Sequence, residues 1–449
     1  MPIALPRLLR APFVPAALVL ALGLAGGAAQ AQSLKALVEA ARGYDAAYQS
    51  ARLAADAAGH RAEQSKALNR PKVDAVASAG LSDANIGSNV RASRLSGGLE
   101  AAQSIYNPAN AKSIAQAERA VEVARAQLVA AEQDLIVRVA QAYFEVLSAT
   151  DALATVRQAK KAIGEQLASA RRNFEVGTAT ITDTREAQAR FDLATAQELA
   201  AENDLNVKRL ALENVVGRSG LSPAPLAQPV ALPGLAPTSS EEWVNNAERS
   251  SPALRQLQLA LEVARLETEK ARAGSAPTVG WSASITAGSN NTRVPTPVGT
   301  MSSSDSGIDT TVGLRLSMPI YSGGLVQNRI KETLSLEQKA QSDLDAARRT
   351  LAQGTRSAYF GVQSLQAQVK ALEAAEASSR LALEATQLGY KVGVRVNLDV
   401  LNAQTQLFQA QRDVAKARYD VLVNGLKLRQ VAGVLMPQDI DAVDALLAR

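Results

Sequence analysis

Gly177 and Gly393 lie 216 residues apart in this 449-residue sequence, and the residues around them are near copies. Phe174-Glu175-Val176-Gly177-Thr178-Ala179-Thr180-Ile181-Thr182-Asp183 returns as Tyr390-Lys391-Val392-Gly393-Val394-Arg395-Val396-Asn397-Leu398-Asp399. The same spacing relates Ala187-Gln188 to Ala403-Gln404, Tyr143-Phe144 to Tyr359-Phe360 and Gly217 to Gly433, whereas Tyr106 and Tyr321 are 215 apart, one residue having been gained or lost between them. So long a period exceeds the roughly 20 to 50 residues of solenoid repeats. A domain-sized unit has been duplicated, and whatever one half folds into, the other must fold into as well. In each copy the Gly stands where a left-handed residue ends a helix, a Thr or Asn follows shortly before an Asp, and an Ala- and Gln-rich run begins. Val176-Gly177 and Val392-Gly393 are therefore turns between helices.

The arms that meet at these turns are long. From Ala109 to Glu175 there is no proline, which makes about 100 Å of helix at 1.5 Å per residue; the return arm, Asp183 to Val216, is about half that. Asn328–Leu388 and Leu398–Val431 repeat the pair. Aromatic residues are only 4% of the chain and alanine is abundant, so the apolar stripes of these helices are too weak to stand alone and call for lateral, coiled-coil-like partners.

Ahead of each long arm the period changes from helical to alternating. Leu95, Gly97, Leu99, Ala101 and Ile105 alternate with Arg94, Ser96, Glu100 and Ser104; Val279, Trp281, Ala283, Ile285 and Ala287 alternate with polar or small neighbours, as do Val312, Leu314, Leu316, Met318 and Ile320. Strands are expected at about 72–81, 94–105, 278–287 and 311–320, with a polar loop through Asp83–Asn89 and a longer one around Asn290. Ten-residue segments apolar on one face suit a transmembrane β-barrel and equally a half-buried soluble hairpin. Four strands cannot close a barrel, for which eight is the smallest number. Strands must then be pooled across two, three or more copies of the chain, a number the pattern leaves open.

Residues 1–31 favour the barrel. Arg7 and Arg10 precede an apolar run from Ala16 to Ala28 and a small-x-small Ala29-Gln30-Ala31, the pattern of a secretory signal peptide that leaves Gln32 as the new N-terminus. Its loss lowers the formal net charge of +5 by two, too close to balance to suggest a nucleic-acid partner. No later stretch is an apolar run long enough for a transmembrane helix. The chain has no cysteine and one histidine, His60, read as a solvated or packed residue. With no GxSxG elbow and no phosphate-binding glycine loop, nucleophilic, metal and nucleotide chemistry lack their parts, and neither catalysis nor a cofactor is expected. Glu241-Glu242 reads as helix-start charge after Ser239-Ser240.

The organisation is thus a signal peptide (1–31), a first repeat (32–218) opening with a helix from Ser33 to about Asn69, a Pro-rich connector (219–238), a second repeat (239–433) with a helix from Pro252 to Ala273, and a tail (434–449) that is short and could be partly disordered. Trp243 reads as a packing anchor. The fold class is mainly α with a small transmembrane β part.

The duplicated strand-loop-strand-helix unit, Ser104-Ile105-Tyr106-Asn107-Pro108 beside Pro319-Ile320-Tyr321-Ser322-Gly323-Gly324, and Val392-Gly393-x-Arg395-x-x-x-Asp399-Val400-Leu401-x-Ala403-Gln404 resemble the TolC family of outer-membrane efflux and secretion channels. The resemblance covers nearly all of the chain after residue 31. It implies a homotrimer with a twelve-stranded barrel in outer-membrane lipid, continued by a periplasmic α-helical tunnel. The connector and Trp243 would lie in an equatorial belt, and the loops at Asp83 and Asn290 outside the cell. It further implies a passive exit duct for type I protein secretion or multidrug efflux, served by a periplasmic adaptor and an inner-membrane ABC or proton-driven pump. At the periplasmic tip Val176, Gly177, Val392 and Gly393 would meet the adaptor. Thr182, Asp183, Tyr390 and Arg395 would latch the gate, unless Asp183 and Asp399 simply cap their helices. Asp399 would form a carboxylate ring at the pore constriction, with neutral Asn402 where relatives often carry a second acid. The lack of an acylatable Cys leans toward the ABC-driven protein secretion branch. A periplasmic coiled-coil scaffold or adaptor is the competing reading; it lacks this duplication and normally carries a Gly-rich lipoyl-like domain.

Overall fold

The computed structural model describes residues 32–85, 89–227, 229–230 and 232–448; the expected signal peptide lies outside them. Both halves run helix, helix, strand, strand, long helix, return helix. The first comprises α1 (Leu34–Tyr44), α2 (Ala46–Lys66), β1 (Lys72–Asn85), β2 (Asn89–Tyr106), α3 (Pro108–Glu175) and α4 (Ile181–Val216). The second comprises α5 (Ser240–Ser250), α6 (Pro252–Ala273), β3 (Thr278–Thr296), β4 (Gly299–Ser317), α7 (Leu325–Lys391) and α8 (Asn397–Val431), followed by α9 (Pro437–Asp444).

The single helix expected over 33–69 is broken at Asp45, whose φ of −61° and ψ of 117° leave the helical region. Ser251 does the same between α5 and α6 with φ −62° and ψ 119°. The second break is signalled by Pro252, which starts a helix readily but cannot continue one. In the first copy the only signal is an acid: the Asp45 carboxylate caps α2 by accepting from Tyr48 N at 2.8 Å and takes a bidentate ion pair from Arg138 at 2.8 and 3.1 Å. Hydrogen bonding to Arg138 holds its carboxyl below the usual carboxylate range.

The four strands form one antiparallel sheet in sequence order, so β2–β3 joins the two repeats and β1 and β4 are its edges. They are 14, 18, 19 and 19 residues long, not ten. Of the polar loop expected over Asp83–Asn89, residues 83–85 and 89 are strand and 86–88 lie outside the described residues, and the region around Asn290 is strand as well: Asp83 sits opposite Arg91, and Asn290 between Arg94 and Asp305. Side-chain alternation marks only the apolar band, whereas a backbone ladder continues through Ser, Asn and Thr as long as each N–H and C=O finds its partner. At its other end β4 stops at Ser317 instead of reaching 320, because Pro319 has no N–H to give. Opposite residues share a face, and Val73, Leu81, Leu95, Leu99, Ile285, Ile308, Val312, Leu314 and Leu316 fall on one of them, all exposed. Asp74, Ser78, Arg94, Glu100, Asn290, Asp305 and Arg315 fall on the other.

The long helices change partners halfway. Near the sheet α3 packs on α2 and α6; further away it packs on α4 and, alongside, α8. Lys112–Glu269 (2.6 Å) lies in the first zone and Arg157–Glu202 (2.5 Å) in the second. Helix α7 likewise passes from α6 to α8. At 68 and 67 residues, each is about 100 Å long. The main core gathers where the partners change, with Leu34, Leu37, Leu135, Ile136, Tyr143, Phe144, Leu212 and Leu426 buried. The duplicated tyrosines hold the two ends of the connector there. The Tyr143 hydroxyl is 3.0 Å from the carbonyl of Ala224 and 3.1 Å from that of Gln32, while Tyr359 donates to the carbonyl of Thr238. Trp243, 3% exposed, packs with Tyr359, Val362 and Leu428 in a second cluster and donates to the carbonyl of Pro237 at 2.8 Å. His60 is exposed.

The tail is ordered, contrary to expectation. Ile440, Val443 and Leu447 enter the main core, the Asp439 carboxylate accepts from Met436 N at 2.8 Å and pairs with Arg429, and Asp444 accepts from the backbone of Leu34 at 2.8 Å and Lys35 at 3.2 Å. The tail is too short for its apolar pattern to show that partners lie some 400 residues away in α1.

Candidate gate at the helical tip

The two interhelical turns are built alike and finished differently. Each ends its long helix with a Val outside the helical region followed by a left-handed glycine, Gly177 at φ 79° and Gly393 at φ 80°. A side chain at either would be strained. In both, the next two backbone N–H groups fold back onto one carbonyl, that of Asn173 in the first and Gly389 in the second, at 2.8 to 3.1 Å. Val176, Val392, Val394 and Val396 stand exposed on this end.

Beyond the glycine the copies part. Thr180 begins α4 with a reciprocal cap: its hydroxyl accepts from Asp183 N at 3.2 Å, and the Asp183 carboxylate accepts from Thr180 N at 2.9 Å and from its hydroxyl at 2.7 Å. At the matching place α8 has Val396, which has no side-chain oxygen to cap with. Asp399 therefore makes no cap and pairs instead with Arg395 at 3.6 Å, one helical turn away, both side chains being solvated. Room for Arg395 comes from Gly389, where an added Cβ would stand 2.8 Å from Arg395 Cγ. The first turn has Asn173 and Ala179 at these positions. Asn173 uses its amide to reach the other hairpin, donating to Tyr390 Oη at 3.2 Å.

Within one chain, then, Tyr390 meets Asn173 and Arg395 meets Asp399; Asp183 meets its own cap, and Thr182 is exposed without a side-chain partner among the described residues. Asn402 accepts from Arg190 of α4 at 2.9 Å. Two participants escaped sequence reasoning. Asn397 is buried and accepts from Gln166 of α3, leaving its own amide nitrogen without a partner among the described residues. Asn173 differs from Gly389 at an otherwise copied position, and that mismatch was its only signal. Beneath these contacts Ile163, Leu167, Ala187, Ala194 and Leu401 form a small core joining α3, α4 and α8.

Further up, the hairpins are tied by Tyr419, which donates to Asp151 Oδ2 at 2.6 Å. Burial pushes the Asp151 carboxyl above its usual range, against the opposing pull of the Tyr419 hydrogen bond. The folded chain thus holds that proton more tightly than the unfolded one, so this group favours folding as pH falls and loses that contribution as pH rises through the raised value.

Each structural repeat is also a match to a known sequence family: outer membrane efflux protein, over residues 29–218 and again over 243–434. The chain belongs to this family. It is 32% identical over 429 residues to the outer membrane protein TolC of Vibrio cholerae, covering 95% of this chain and 96% of that one. It is 36% identical over 342 residues to the alkaline protease secretion protein AprF of Pseudomonas aeruginosa, covering 74% and 68%. The solved outer-membrane protein VceC of Vibrio cholerae shares the fold at a TM-score of 0.74 with 18% identity, over 89% of this chain and 96% of that one. This efflux-family chain is accordingly an outer-membrane channel protein of efflux or secretion, with its sheet in the bacterial outer membrane and its helices extending into the periplasm.

Proposed function

We propose that three copies of this chain pool their sheets into a twelve-stranded barrel and their long helices into one tunnel, a passive exit duct without catalytic activity. A periplasmic adaptor and an inner-membrane pump, ABC or proton-driven, complete the export system. The observation that carries the reading is the sheet itself. Its edges β1 and β4 are unpaired in one chain and one face carries an exposed apolar band, a combination that barrel closure in lipid satisfies. The lack of an acylatable cysteine favours the protein-secretion branch, to which the name of the relative AprF, an alkaline protease secretion protein, also points.

The tip is the gate in this reading. Thr182 and Asp183 of one hairpin face Tyr390 and Arg395 of a neighbouring one, Asp399 with Asn402 lines the narrowest part, and Val176, Gly177, Val392 and Gly393 receive the adaptor. The exposed valines give the adaptor an apolar landing surface. Introducing a charge there, Val176→Asp with Val392→Asp, should abolish co-purification of the adaptor from cross-linked cells while leaving heat-modifiable assembly intact. Undiminished co-purification would remove the tip turns from the docking site.

A further inference from the structure

We infer that Arg91 and Arg293 form a binding site on the lipid side of the sheet for a phosphate-bearing glycolipid of the outer leaflet. The two arginines are directly opposite each other in the β2–β3 ladder, with Cα atoms about 5 Å apart. Like charges in this position oppose pairing unless a counter-charge is supplied. Asp83, opposite Arg91 on β1, supplies one, at 3.2 Å from Arg91 Nε. Arg293 is exposed, is opposite Ser302 on β4, and has no carboxylate in ion-pair range among the described residues. The row Asp83–Arg91–Arg293–Ser302 therefore keeps one uncompensated positive charge.

Its height and its face identify the missing partner. Counting alternate residues, Arg91 and Arg293 lie on the same face as Leu81, Leu95, Leu99 and Ile308, the face that meets lipid. They stand one same-face row beyond Leu81–Ser93–Asn291. Two residues at 3.3 Å rise and a tilt near 40° lift them about 5 Å above that row, into the 5 to 7 Å of headgroup that borders the hydrocarbon. The end of β1 and start of β2, and the end of β3 and start of β4, lie at this end and all the long helices at the other, so this is the outer leaflet. A phosphate there would bridge two guanidinium groups whose planar forks suit it, while its acyl chains lie along the apolar band.

The inference rests on the outer-membrane placement of the sheet, and its test separates the two. Native mass spectrometry of the detergent-extracted protein, incubated with diphosphoryl lipid A or with the same glycolipid stripped of phosphate, should show adducts of the first and few of the second. R91Q/R293Q should lower retention of the phosphorylated form at least tenfold; R94Q, the same substitution on the opposite face, should leave it unaltered. If the double variant does not assemble, R293Q alone is read and should lose it severalfold. Equal retention by R91Q/R293Q, or displacement of the adduct by inorganic phosphate at the same concentration, would overturn the site. A loss confined to R94Q would show that the sheet faces the other way.

Discussion

Replacing Arg395 by Ser together with Tyr390 by Phe should raise the single-channel conductance of the purified protein in planar bilayers, by moving a mostly closed tip toward an open one. Both groups are exposed or half-buried at the end of the second hairpin, so their loss removes polar interactions without leaving a cavity. A hydrogen bond to a charged partner contributes about 1.5 to 3 kcal/mol and a neutral one about 1 kcal/mol. Removing two such bonds from each of three copies then shifts the equilibrium by far more than the ~1.4 kcal/mol that makes a factor of ten. Among the described residues the Tyr390 hydroxyl is engaged only by Asn173 at 3.2 Å, a long hydrogen bond that leaves its hydrogen free to donate to a neighbouring copy's carboxylate. A closed-state conductance identical to that of the unaltered protein would count against the latch.

Asp399→Ala should abolish the cation preference of the pore, measured as the reversal potential across a salt gradient. Three symmetry-related carboxylates at a constriction favour cations. In each chain Arg395 stands 3.6 Å from the Asp399 carboxylate and partly neutralises it. Arg395→Ser alone should therefore strengthen cation preference before Asp399→Ala removes it, an ordering that a ring of isolated carboxylates would not give. Asn402 is neutral, and its amide oxygen accepts from Arg190 at 2.9 Å. Unchanged reversal potentials in Asp399→Ala would place this residue away from the constriction.

What was legible in the sequence followed from repetition and from strong local signals. The 216-residue copy fixed both hairpins, Pro108, Pro252 and the two left-handed glycines fixed helix ends to within a few residues, and the alternation of Val279–Ala287 fixed the face of β3. What was missed depended on partners distant in the chain or on backbone pairing that no side chain advertises. The outer halves of β3 and β4 are strands of Ser, Thr and Asn, held by the ladder they make with each other. The tail is ordered by α1 and the connector. At the tip the sequence showed that Arg395 and Tyr390 occur in one copy only. It did not show the reason for the difference, which is that Thr180 occupies Asp183 as a cap whereas Val396 leaves Asp399 free for Arg395.

The central claim is that one chain supplies four strands and so one third of a closed barrel. The mass of the complex extracted from outer-membrane fractions in mild detergent tests it most directly, read beside its electrophoretic mobility before and after heating. The account predicts three chains per particle, held together until heated. A monomer, or a particle of two or four chains, would contradict it.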